Sequence, residues 1–219
     1  MFKRILLIAS AFLYSLPLFA QEVDQTQPYA MMKQVAEQAF SRLKADQAII
    51  QNDPEHLKVV VEEELMPYVN EQYAALKLLG PNLKAAKKEN PKGYKKDVRV
   101  FIDAFRGYLV ASYAQVLTQY TDQVIEFAPE SKIKPTQRIA SVRVDIVDAP
   151  RPNIKLEFKL RKDKKTGEWK AFDMIAEGIS LLSSKQSEWN GKIRQDGIVA
   201  VAQELERLAK QPIRFESAK

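Results

Sequence analysis

Ile154 to Arg161 read IKLEFKLR. Ile154, Leu156, Phe158 and Leu160 alternate with Lys155, Glu157, Lys159 and Arg161. A period of two puts the two sets on opposite sides of an extended chain, so this is a strand with one apolar and one charged face. Just upstream, Val142, Val144 and Ile146 alternate with Ser141, Arg143 and Asp145, and a Pro150/Pro152 loop joins the two runs. Downstream, Lys164-Lys165-Thr166-Gly167 is a turn into a third strand from Trp169 to about Ala176. Gln123 to Phe127 is a weaker strand in front. Four strands in succession, joined by short loops, predict an antiparallel meander.

The chain on either side has a helical period. Pro28 suits a first helical turn, and Met32, Val35, Ala36, Ala39 and Leu43 mark one face after it. Asn52-Asp53-Pro54 stops this helix and starts the next, whose stripe is Leu57, Val60, Val61, Leu65 and Tyr68, with Pro67 kinking or ending it. A further helix spans about Asn70 to Leu79, closed by Gly80-Pro81. Lys84 to Lys96 reads as a solvated helix end and loop, although its lysines could also touch phosphate. A long helix follows from about Lys95 to Tyr120. After Gly178 the helical pattern returns, and Asp196-Gly197 opens a last helix. Helices, then a sheet, then helices predict an α+β domain with helices covering the apolar face of the sheet.

The 219 residues suit one domain. Residues 1–20 have the pattern of an export signal: Lys3 and Arg4, an apolar run from Ile5, Pro17, and Leu18-Phe19-Ala20 as the cleavage sequence. Residues 21–219 are then the mature domain. Removing Lys3 and Arg4 lowers the net charge from +6 to +4, which makes no demand for nucleic acid. No cysteine is present, so thiol nucleophiles, disulfides and cysteine-ligated zinc are excluded.

Catalytic constellations are scarce. His56 is the only histidine, which removes two-histidine metal sites and gives a serine nucleophile no supported base. The seven glycines are scattered, so no phosphate loop forms. Glu62, Glu63 and Glu64 point in different directions around a helix and read as a solvated face. Asp173 and Glu177 lie in an apolar run, WKAFDMIAEGISLL, from Trp169 to Leu182. One reading makes Asp173 a general base with a raised pKa in a small cone-shaped enzyme. The other has Asp173 hydrogen-bonded to backbone or to a Tyr or Arg, and Glu177 capping the turn beside Gly178. A periplasmic chaperone with an exposed apolar groove is a third possibility. The apolar supply of helices and strands is large enough for either a filled core or an apolar hollow.

Several ordered blocks resemble the MlaC family of periplasmic phospholipid-binding proteins. They are Trp169 to Ser180 with Lys185-Gln186 and Glu188-Trp189; Glu64 to Val69 with Tyr73 and Leu79-Gly80; Phe101, Ala104-Phe105-Arg106, Tyr108-Leu109, Tyr113 and Leu117; and Arg42-Leu43-Lys44. The lysine-rich stretch from Lys84 to Lys96 is longer and more basic than the family pattern.

The resemblance implies a curved antiparallel sheet covered by helices and enclosing an apolar cavity for acyl chains. It implies a periplasmic, monomeric carrier without catalytic residues, metal or cofactor, whose cargo is phospholipid. Its partners would be an outer-membrane lipoprotein–porin complex and an inner-membrane ABC transporter with its periplasmic lipid-binding subunit. The expected cavity wall has three parts. The helices supply Tyr68, Val69, Tyr73, Phe101, Phe105 and Leu109. The two clean strands supply Val142, Val144, Ile146, Leu156, Phe158 and Leu160. The segment around the last turn supplies Ile175, Gly178, Ile179 and Leu182.

Overall fold

The computed structural model describes residues 23–120, 123–147, 150 and 152–215. The expected export signal at residues 1–20 lies outside them.

Helix α1, Pro28–Ala45, carries proline in its first turn and buries Met31, Val35, Ala39 and Leu43. That four-residue spacing makes a single stripe. Asp46 ends it, and the short helices α2, Gln47–Asn52, and α3, His56–Val60, follow. The α3 backbone then widens into one π-helical turn, Val61–Leu65, and tightens into a 3-10 turn, Met66–Tyr68, that holds Pro67. Helix α4, Glu71–Leu79, starts where the Asn70 side chain accepts a hydrogen bond from the Tyr73 amide.

The stretch expected as a solvated helix end and loop holds a separate short helix, α5, Asn82–Glu89. Its own sequence is polar, and tertiary contacts hold it. Leu83 and Ala86 pack on the helical core, and buried Asn82 donates to Asn190 Oδ1 at 2.9 Å. Helix α6, Tyr94–Leu117, and helix α7, Leu181–Ala209, pack along each other. The expected break at Asp196-Gly197 is a kink within α7. Gly197 has φ 86° and ψ 170°, a conformation essentially restricted to glycine.

The sheet is an antiparallel meander of five strands, one more than expected: β1 Val124–Phe127, β2 Ile139–Val147, β3 Ile154–Lys162, β4 Trp169–Ala176 and β5 Ile179–Ser180. β5 has only two residues, too few to leave a periodic signal. It folds back on Ile175 and Ala176 through Glu177 and Gly178, which have φ 48° and 82°. Two successive positive φ values suit the twist of a tight hairpin. The Glu177 carboxylate accepts from the Lys155 amide at 2.6 Å, which holds the turn against β3.

Cross-strand register confirms the two faces read from the alternation. Val142 stands opposite Phe158 and Val144 opposite Leu156, while Arg143 faces Glu157 and Asp145 faces Lys155. Between β3 and β4 the register slips. Lys159 pairs with Asp173 and Leu160 with Ala171, leaving Phe172 as the extra residue of a bulge.

The core divides into three clusters. The first joins α4, α6 and α7 through residues such as Leu78, Phe101, Phe105 and Leu205. The second joins Leu43, Ile50, Leu57, Val60 and Val110 with Ile213 of the C-terminal tail. The third packs Met31 and Val35 of α1 on Ala140, Val142, Val144, Leu160 and Trp169 of the sheet.

Candidate functional site

The apolar face of the sheet is unevenly covered. At one end Ala140, Val142, Val144, Leu160 and Trp169 are all 3% exposed or less under α1. Towards the other end Ile146, Leu156, Phe158, Met174 and Ala176 are only half-buried, and Ile154 is 41% exposed. The same strands thus run from a closed end to an open end. Val69, Tyr68 and Leu65 border this face from the π and 3-10 turns, and all three are half-buried. Val69 makes a parallel bridge to Ala171, and the Asn70 amide donates to Ala171 O at 2.7 Å, fixing this border against the free edge of β4.

The bulge connects this face to the helices. Ala171 packs in the sheet cluster, whereas the next residue, Phe172, packs in the α4–α6–α7 cluster. Phe172 meets Tyr73 edge-on, with ring centroids 5.0 Å apart. The Arg161 guanidinium lies 4.3 Å from the Tyr73 ring centre, a cation–π arrangement. Half-buried Leu109, Tyr108 and Leu182 border the same region from α6 and α7.

Asp173 is committed to structure. Its Oδ2 accepts from Ser180 Oγ at 2.7 Å and its Oδ1 from the Leu182 amide at 3.0 Å. Ser180 Oγ in turn accepts from the Ser183 amide at the start of α7. Orphan amides at a helix start are satisfied this way. Both carboxylate oxygens of Asp173 thus help to hold the junction between β5 and α7. Nearby, burial pushes the Tyr113 phenol up to about 12, with the negative charge of Asp173 and the Tyr108 phenol adding to it. Among the described residues no group of three or more His, Cys, Asp or Glu is placed to hold a metal ion.

The expected wall residues fall into three groups. Phe101, Phe105, Val142, Val144 and Leu160 are 3% exposed or less and belong to packed clusters, so the fold uses them as core. Tyr68, Val69, Tyr73, Leu109, Ile146, Leu156, Phe158 and Leu182 are half-buried along the sheet border and the seams between clusters. Ile175, Gly178 and Ile179 lie at the rim. Ile175 pairs with Glu157 and therefore shares the charged face, and Ile179 is 61% exposed. The expected wall left out Phe172 and Met174, and it left out Leu65 although the helical stripe included that residue. Phe172 sits at the bulge, which breaks the alternation around it.

Two open clefts lie among the described residues. One of 370 Å³ is walled by Arg143, Asp145, Lys155 and Glu157 and touches Leu156, Ile175 and Gly178. The other, of 560 Å³, lies between the start of α1, the segment 130–135 and Trp169. Neither is a closed apolar chamber. Beside them, the open end of the apolar sheet face and its half-buried border are apolar surface that the three core clusters leave partly uncovered.

The MlaC protein family model matches residues 33–207 of this chain. The chain belongs to the MlaC family. A relative from Haemophilus influenzae, the intermembrane phospholipid transport system binding protein MlaC, is 35% identical over 194 residues, spanning 88% of this chain and 87% of the relative. The fold is also similar to a phospholipid-binding protein from Ralstonia solanacearum solved with a phospholipid bound. That similarity has a TM-score of 0.68 at 15% identity and covers 83% of this chain and 96% of the other.

Family-resembling residues have definite work in the fold. Gln186 Nε2 donates to the carbonyls of Lys77 and Leu78, at 2.7 and 3.3 Å, closing the C-terminal end of α4. Trp189 stands edge-on to Tyr108 at 5.2 Å, with Lys185 Nζ 5.4 Å from its ring centre. Arg106 pairs with Glu62 at 2.6 Å, and Arg42 reaches Asp46, Glu63 and Glu64. The three glutamates are therefore tied to α1 and α6 rather than only solvated. His56 is partly buried with its Nε2 2.7 Å from Asp46.

Proposed function

We propose that this chain is a soluble periplasmic phospholipid carrier that holds acyl chains at the open end of the sheet and along the adjoining seams. One observation carries this reading: the apolar face of the sheet is sealed by α1 at one end and left half-covered at the other. A domain of this size ordinarily gathers its apolar residues into one contiguous core. Here the chain keeps three clusters, and large apolar side chains remain half-buried between them.

The energetics set what such a carrier must do. Each buried methylene is worth about 0.8 kcal/mol against water, so exposing two chains with roughly 30 methylenes costs on the order of 24 kcal/mol. Apolar walls offset this cost during transit. Because lipid tails already sit in hydrocarbon within a bilayer, similar walls let loading and release run close to balance. The cargo moves between an outer-membrane lipoprotein–porin complex and an inner-membrane ABC transporter, whose periplasmic subunit exchanges lipid with the carrier. Residues 1–20 direct export and are then removed. The protein acts as a monomer, without cofactor or catalytic step, and the lipid leaves chemically unchanged.

The test is transfer of a labelled phospholipid from donor to acceptor vesicles by the purified protein. Transfer proportional to protein concentration, with intact lipid recovered, supports the carrier. Absence of transfer, or recovery of hydrolysed lipid, overturns it.

A further inference from the structure

From Lys84 to Arg99, seven basic residues and two acids leave a charge of +5, against +6 for the whole chain. Nearly all the excess positive charge therefore lies in sixteen residues. Lys84, Lys87 and Lys88 share one side of α5, at positions i, i+3 and i+4. Lys92 lies in the turn that follows, and Lys95, Lys96 and Arg99 occupy the first turns of α6. All seven are exposed. Lys87 Nζ lies 6.0 Å from the ring centre of Tyr94, which brings the basic side of α5 against the start of α6.

Two features bear on what this concentrated patch can bind. Among the described residues, none of the seven pairs with a carboxylate, whereas Arg42, Lys58, Arg106, Lys159, Lys185 and Arg207 all do. Moreover, Lys95 and Lys96 lie at the positive end of a 24-residue helix whose Gly93 start has no side-chain cap. Cations there oppose the helix dipole, and Asp97 in the same turn offsets part of their charge. Their position weakens the free helix and strengthens attraction for an external anion. The support is firm, because Asn82 and Asn190 tie α5 to α7.

We propose that this patch adsorbs the protein to an anionic phospholipid surface. Six of the seven cations are lysines, compact point charges suited to a diffuse array of headgroups rather than to forked recognition of one carboxylate. Clusters of four to eight such residues are attracted to anionic membranes over about a Debye length. No large apolar side chain on α5 is exposed, so contact is electrostatic and reversible without insertion. A membrane as occupant rests on the carrier reading. The charge geometry does not.

The test is sedimentation with vesicles of neutral phosphatidylcholine, with and without phosphatidylglycerol. The full mature protein is compared with the quadruple variant Lys84→Gln, Lys88→Gln, Lys92→Gln, Lys96→Gln. The parent should bind the anionic vesicles preferentially at low salt and be released by high salt. The variant should bind them about tenfold or more weakly. Circular dichroism and bound-lipid content are read on the same samples and should not change. Equal binding of parent and variant, or no preference of the parent for anionic over neutral vesicles, overturns the membrane assignment. A parent that binds vesicles but carries no lipid leaves this inference standing and counts against the carrier function instead.

Discussion

Phe172 stands edge-on to Tyr73, with ring centroids 5.0 Å apart and planes at 86°. The contact exists because the β4 bulge turns Phe172 away from the strand's own alternation and into the helical cluster. It joins the sheet to α4 at the border between packed core and half-buried apolar surface. Substitutions on the two sides of that border should therefore separate stability from lipid retention.

On the half-buried side, Leu156→Asp or Phe158→Asp should leave the helical signal intact. Bound phospholipid should fall at least about tenfold, because a carboxylate resists desolvation against an acyl chain by several kcal/mol. On the packed side, Phe101→Ala should lower stability by about 3–5 kcal/mol while the lipid carried per folded molecule stays the same. Denaturant titration and mass spectrometry of organic extracts measure the two effects.

This division was only partly legible in the sequence. The alternation of β2 and β3 is local and gave both faces of the sheet. Which part of each strand α1 would cover is a long-range matter, so Val144 and Leu156, opposite each other in register, could not be told apart as core and border. Only a helix end was legible where α5 stands, because its anchor, Asn82 with Asn190, spans a separation of 108 residues. The bulge at Phe172 and the two-residue β5 have no period to detect. The Gly197 break was readable, since glycine before a new apolar stripe is a local signal, and so was a backbone partner for Asp173, though its bond to Ser180 at the start of α7 was not.

Asp173→Ala should cost about 1–3 kcal/mol through loss of its hydrogen bonds to Ser180 and Leu182. Lipid transfer should persist at temperatures where the variant is folded. Thermal unfolding and vesicle transfer, run in parallel, check this. A general base at this position would instead lose a turnover with little change in stability.

Tyr113 makes stability depend on alkaline pH. Its folded pKa of about 12 exceeds the ordinary value of 10.0, so the folded state holds the proton more tightly. Its contribution is complete below pH 10 and is lost as pH rises from there through 12. The full loss is on the order of 2–3 kcal/mol. Tyr113→Phe should flatten this part of the stability curve relative to the parent, measured by denaturant titration across that range.

Gly197→Ala should destabilise the protein by about 1–3 kcal/mol, since a Cβ is strained at its φ of 86° even though no neighbouring atom blocks it. Calorimetry should register the loss. An unchanged midpoint would mean the α7 kink does not need this backbone conformation.

Native mass spectrometry of the purified mature protein tests the central claim most directly. The account predicts a mass exceeding that of the polypeptide by one or more intact phospholipids, released as such on collisional activation. A homogeneous bare polypeptide under gentle ionisation, with no phospholipid in the organic extract, would contradict it.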